Sequence, residues 1–153
     1  MVDQNLILRK LSELEEYLSQ IREYSHVTVQ EYAQNWRTQR IVERTLQIMI
    51  ELCLDIAGHI VSDMRLRTPT SYADVFKVLH ENGLMRSDQY EVMEKMAKFR
   101  NVVVHQYDRV DETIVVTILR KHLDDFMVFR DAVLEILRGQ ADAKGLLREP
   151  LLR

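Results

Sequence analysis

Arg100, Asn101, His105 and Tyr107 fall within the stretch Arg100-Asn101-Val102-Val103-Val104-His105-Gln106-Tyr107. A permanent cation, an amide, a titratable imidazole and a phenol are thereby concentrated in about two helical turns. Their types suit phosphate chemistry. Arginine presents a planar fork of N–H donors that matches phosphate oxygens. Histidine both takes and gives a proton near neutral pH. On a regular helix, residues five apart sit roughly 140° apart at about 100° per residue. Arg100 and His105 therefore do not share a face of one ideal helix. They converge if the helix ends or distorts at the β-branched run Val102-Val103-Val104, or if two copies of the stretch meet across a two-fold axis.

The elements that must carry these residues read as helices. The chain has 153 residues, 46% apolar and 29% charged, with only 4 Gly and 2 Pro. That is enough for one domain with its own core. So few turn formers favour a small number of long helices over many short strands. The single cysteine, Cys53, excludes an internal disulfide; it suits a reducing, cytoplasmic compartment and reads as a buried thiol. The opening MVDQNLILRKLSELEEYL places charges where a signal peptide needs an apolar block, and no run is expected to span a membrane. A net charge of −3 argues against a general nucleic-acid coat, so any RNA contact belongs at a local basic spot.

In chain order, Ile7, Leu11, Leu14, Leu18 and Ile21 recur at alternating spacings of four and three, the core stripe of a first helix from about Gln4 to Tyr24. Thr28 to Glu31 has the form of a capping box. It opens a second helical region that reaches about Met64, with a possible bend near Trp36. Its expected core set is Ile41, Thr45, Ile48 or Met49, Leu52, Ile56 and Ile60. A polar ladder of Glu51, Asp55, His59 and Asp63, each four apart, shares one stripe. Carboxylates and a histidine so spaced can ligate a metal inside a bundle, but the Glu-x-x-His pairing of helical di-metal sites is absent, and an ion-paired or interface face is the better reading.

Ser71 is expected to cap a short helix from Tyr72 to about Glu81, which Asn82-Gly83 stops. Ser87-Asp88 starts the helix that delivers Lys95, Lys98 and then Arg100. Asp111 caps a last helix from about Glu112 to Arg138, ended by Gly139. The expected fold class is all-α, an up-and-down bundle of about five helices over residues 1–138, followed by a mobile tail, 139–153. His26, His80 and His122 take structural roles. No Gly-rich phosphate loop, Cys/His metal spacing, serine nucleophile elbow or Mg²⁺-binding carboxylate array is present in the sequence.

With these residues assembled, the chain resembles the HepT-like branch of the HEPN proteins, all-helical toxins of prokaryotic toxin–antitoxin pairs. The resemblance spans roughly residues 5–138. It rests on Glu43-Arg44 and the Glu51…Asp55 segment of the long helix, on the helix-and-stop from Ser71 to Gly83, and on Arg100-Asn101-x-x-x-His105-x-Tyr107. It implies a metal-independent endoribonuclease without a cofactor, working as a homodimer whose two motif helices line one cleft. His105 would assist attack of a ribose 2′-hydroxyl on the adjacent phosphate, Arg100 would stabilise charge on the phosphoryl oxygens, and Asn101 would orient the substrate or the histidine. It also implies an MntA-like nucleotidyltransferase antitoxin, in a complex that can be a larger hetero-oligomer, that transfers AMP units from ATP to Tyr107. Each AMP brings phosphate charge into a cleft that attracts RNA. The competing expectation is a non-catalytic helical subunit that only docks a nucleotidyltransferase, the role of HEPN proteins lacking the Arg/His pair. Helical metal binding through Glu51, Asp55, His59 and Asp63 is the third.

Overall fold

A computed structural model describes residues 2–106 and 110–143, with side chains as far as Gln140. Seven α-helices lie within these residues, and no strand: α1 Gln4–Ile21, α2 Val29–Ala33, α3 Trp36–Asp63, α4 Asp74–Glu81, α5 Ser87–His105, α6 Glu112–Lys121 and α7 Asp124–Ala143. A 3-10 turn, Arg22–Tyr24, closes α1. The all-α expectation holds, with more helices than the five expected.

Local chemistry accounts for most of the boundaries. The Asp3 carboxylate accepts from the Leu6 N–H at the start of α1, whose buried residues are the five of the expected stripe. Thr28 and Glu31 form the anticipated capping box, each side chain accepting from the other residue's backbone N–H. At the end of α4, Gly83 adopts φ 71° and the Leu84 N–H reaches back to the Leu79 carbonyl, so the Asn82-Gly83 stop is realised. Asp111 accepts from the N–H groups of Thr113 and Ile114 and opens α6.

Two regions expected as continuous are divided. α2 and α3 are separated at Gln34-Asn35, where Asn35 is extended and its side chain accepts from the Thr38 N–H. Buried Gln39 donates to the carbonyls of Tyr32 and Ala33, satisfying the C-terminal end of α2 from within α3. The last helix breaks at His122-Leu123, where the His122 ring meets Asp125 at 2.9 Å. The break lets α6 pack on α2 while α7 packs on α1 and α5. α7 runs through Gly139 to Ala143, so Gly139 does not end it.

α3 is the centre of the bundle, touching α1, α2, α4 and α5. Being covered on several sides, it buries Val42, Leu46, Met49, Ile50, Leu52, Cys53, Leu54, Ile56, Ala57, Ile60 and Val61. The expected set is corrected at its N-terminal end, where Ile41 is 48% exposed and Val42 takes its place inside. The restart at Asn35 sets this phase. Contrary to the sequence expectation, α3 is long and apolar enough to span a membrane by length and composition, with mean hydropathy 1.3 over its best window. More than half of that window (56%) is buried within the fold, as a central core helix requires. Burial pushes the Cys53 thiol well above its ordinary range, consistent with a structural thiol.

Candidate active site

Arg100 lies in the last two turns of α5 and turns inward, towards α3. Its Nε donates to Glu51 Oε2 at 2.9 Å, and a terminal nitrogen lies 2.8 Å from the same oxygen. The other terminal nitrogen donates to Asn101 Oδ1 at 3.2 Å. Gln47, one turn before Glu51, also donates to Glu51 Oε2, at 3.1 Å. Burial raises the Glu51 pKa, but the hydrogen bonds from Gln47 and Arg100, with the charges of Arg100 and Arg44, outweigh it and leave the carboxyl below its usual range.

An aromatic residue completes the clamp. The guanidinium carbon of Arg100 stands 5.2 Å from the ring centroid of Tyr72, within cation–π range. The Tyr72 hydroxyl donates to Asp55 Oδ1 at 3.4 Å, and Lys10 approaches the other Asp55 oxygen at 3.8 Å. Burial, then the nearby Asp55 charge, raises the Tyr72 pKa, keeping the phenol a protonated donor. The loop that presents Tyr72 is tied down beside it. Arg67 pairs with both Asp74 and Glu81, and Asp74 also accepts from the Thr70 N–H and hydroxyl. Ser71 Oγ accepts from the Asp74 N–H in the turn before α4, but α4 begins at Asp74 rather than at Tyr72, so its N-cap position falls at Ala73 and not at Ser71.

The ladder on α3 thus divides its work. Glu51 holds Arg100, Asp55 holds Tyr72 and Lys10, and Asp63 accepts from the Asp3 N–H at 3.2 Å. Among the described residues no three His, Cys, Asp or Glu side chains are grouped to hold a metal ion. The ion-paired reading of the ladder is the one the geometry carries.

His105 is the last residue of α5 and is exposed. The helix is unbroken through Val102-Val103-Val104; only at Gln106 does the backbone become extended. Of the two routes to convergence, a helix end between Arg100 and His105 is therefore excluded within one chain. The two side chains leave α5 roughly 140° apart. Arg100 sits on the side of buried Met93, Met96 and Ala97, while His105 shares the outer side with Lys98 and Val102. A groove of about 600 Å³ runs beside that outer side, lined by Lys98, Phe99, Val102, Gln106, Val110 and Ile114 among others. Val102 and Ile114 are 44% and 50% exposed there. Tyr107, the residue expected to be modified, lies outside the described residues, as do Asp108, Arg109 and residues 144–153.

Sequence reading did not single out Tyr72, and it placed Glu51 in the ladder without its partner. No local signal marks either as a companion of Arg100.

The all-α architecture agrees with what comparison finds. A model of the family described as ribonuclease HepT-like matches residues 14–133. The chain belongs to that family, a class of RNA-cleaving helical proteins. It is 30% identical over 129 residues to the mRNA nuclease HepT of Shewanella oneidensis, covering 84% of this chain and 96% of the relative. It is 28% identical over 109 residues to the tRNA nuclease HepT of Aphanizomenon flos-aquae, covering 69% of this chain and 72% of the relative. Among solved structures, the tri-AMPylated Shewanella oneidensis HEPN toxin in complex with MNT antitoxin superposes with a TM-score of 0.78 at 30% identity, over 88% of this chain and 99% of that one.

Proposed function

We propose that this chain is the toxin of a cytoplasmic toxin–antitoxin pair, a metal-independent endoribonuclease whose site is built from two copies of α5. The observation that carries this reading is the contrast between Arg100 and His105. Arg100 is held by Glu51, Asn101 and Tyr72, while His105 is carried outward on the same rigid helix. One chain displays the two groups on different sides, and a two-fold axis brings an arginine and a histidine together. The apolar Val102 and Ile114 beside His105 give such an axis something to bury.

In the reaction, neutral His105 takes the proton of a ribose 2′-hydroxyl. The 2′-oxygen then attacks the adjacent phosphorus, and the bond from phosphorus to the 5′-oxygen breaks. The leaving 5′-oxygen takes up the proton that His105 accepted, giving a 2′,3′-cyclic phosphate and a 5′-hydroxyl and returning the imidazole to its starting state. Charge that grows on the phosphoryl oxygens is met by the outer N–H groups of Arg100. A guanidinium has five, and three are turned to Glu51 and Asn101. Asn101 orients the guanidinium. Every step is proton transfer and charge stabilisation by this chain's own side chains.

Control falls to Tyr107. An MntA-like nucleotidyltransferase would form a phosphodiester from the Tyr107 oxygen to the α-phosphate of ATP, releasing pyrophosphate. The added AMP carries negative charge and bulk two residues from His105, competing with RNA phosphate for Arg100.

The deciding experiment is RNA cleavage by purified protein, confirmed by mass spectrometry to carry no AMP, in excess EDTA beside a His105→Ala control. Cleavage by the parent alone is the expected result. No cleavage of messenger or transfer RNA by either protein would leave a docking subunit as the better account.

A further inference from the structure

The stripe of α3 that holds Glu51 continues towards the helix N-terminus as an arginine track. At about 100° per residue, Arg37, Arg40, Arg44 and Glu51 fall within an arc of roughly 60°. All three arginines are exposed. Trp36, at the head of the track, is 63% exposed and lies under the Arg37 guanidinium at 5.4 Å, and Ile41 is 48% exposed beside it. Several other arginines are neutralised: Arg22, Arg67, Arg86, Arg130 and Arg138 each hold a carboxylate. Among the described residues, Arg37, Arg40 and Arg44 have no carboxylate within ion-pair distance. The charges of Glu43 and Glu51 reach Arg40 and Arg44 only at longer range.

We infer that this track, headed by Trp36, is where single-stranded RNA enters the site, its phosphates on Arg37, Arg40 and Arg44 and one base stacked on the Trp36 ring. The inference rests on the ribonuclease reading for what happens at the far end of the track. Three arginines against one glutamate make Trp36–Arg44 a locally basic strip in a chain of net charge −3, the charge complement of a phosphate backbone. An exposed tryptophan offers a face to any unpaired base, whereas the bases of a duplex are stacked on one another. The track is also continuous with the candidate site. At 1.5 Å per residue, Arg44 lies roughly 10 Å along α3 from Arg37, and Glu51 roughly 10 Å further on, and Glu51 holds Arg100. A strand laid along it is delivered to the phosphate-binding arginine. No other helix face joins unpaired arginines, an exposed aromatic and the Arg100 cluster among the described residues.

The test separates binding from cleavage. His105→Ala protein, unmodified at Tyr107, is titrated into a labelled single-stranded RNA oligonucleotide and into an RNA duplex of the same sequence, at several salt concentrations. The combined Arg37→Gln, Arg40→Gln and Arg44→Gln substitutions should weaken single-strand binding at least about tenfold and flatten the dependence of log K on log salt by about 2. Trp36→Ala should weaken it roughly 5- to 150-fold with the slope unchanged, and should leave duplex binding as it was. Unaltered circular dichroism and melting of the variants show that the fold is intact. A triple variant with the parent's affinity and salt slope overturns the inference. So does a triple variant that keeps RNA binding and loses self-association or capture of the nucleotidyltransferase, which would make the track a protein interface. The ribonuclease reading fails separately: protein with His105 intact that binds RNA along the track but does not cut it would sink that reading and leave the track standing.

Discussion

Glu51 and Arg100 are 49 residues apart in the chain and meet through a single carboxylate oxygen that takes two guanidinium nitrogens. The pair is partly buried, with side-chain exposures of 28% and 19%. It joins α5 to the central helix and fixes the orientation of Arg100, the residue proposed above to stabilise phosphoryl charge.

Glu51 acts through Arg100, so Glu51→Gln should lower kcat roughly 10- to 100-fold, as misplacement of a reacting group does, with KM for RNA little changed. In an Arg100→Ala background the same substitution should have almost no further effect. Full additivity of the two losses would contradict the positioning role.

The outward turn of His105 predicts complementation. Arg100→Ala and His105→Ala proteins should each be inactive alone. Mixed and allowed to exchange subunits, they should recover up to about a quarter of the parental activity, because half the dimers then contain one intact composite site. Absence of recovery despite demonstrated exchange would place both groups in the same chain.

Tyr107→Phe should remain a nuclease and resist neutralisation. Incubated with ATP and an MntA-type nucleotidyltransferase, the parent should gain AMP by intact mass and lose RNA cleavage. The variant should do neither. AMP found on the variant at another residue would move the modification site.

Acid should reach the Tyr72 loop through Asp74. The hydrogen bonds from Arg67, then that from the Thr70 N–H, hold the Asp74 carboxyl well below its ordinary 3.8. A depressed folded value means that the stabilisation is fully present above the unfolded value and is lost as pH falls through the folded one. Asp74→Asn should therefore lower Tm by a few degrees at neutral pH, the gap closing as pH drops below about 4. A Tm difference that keeps its full size from pH 7 down to pH 2 would exclude the carboxylate as its source.

Arg65, just past the end of α3, has φ 56°, a left-handed conformation that disfavours a side chain. The Leu66 N–H closes on the Val61 carbonyl around it, as in helix ends where glycine is usual. Arg65→Gly should raise the unfolding free energy by up to about 1 kcal/mol, measured by urea titration. Destabilisation would mean that the arginine side chain offsets its backbone strain.

The sequence by itself determined what local forces determine. The stripe Ile7 to Ile21, the Thr28–Glu31 box, the Asn82-Gly83 stop and the Asp111 cap each follow from side chains interacting with backbone or neighbours a few residues away. The clustering of Arg100, Asn101, His105 and Tyr107 was legible for the same reason: it is contiguous. Tertiary structure decided the rest. The break at His122-Leu123 has no glycine or proline to announce it and exists because α6 and α7 pack on different partners. The exchange of Ile41 for Val42 follows from the restart at Asn35. Above all, Glu51 and Tyr72 become companions of Arg100 only when α3, the loop before α4, and α5 are packed side by side. Helix periodicity shows which residues share a face, but the residue that face meets is chosen by how the helices pack.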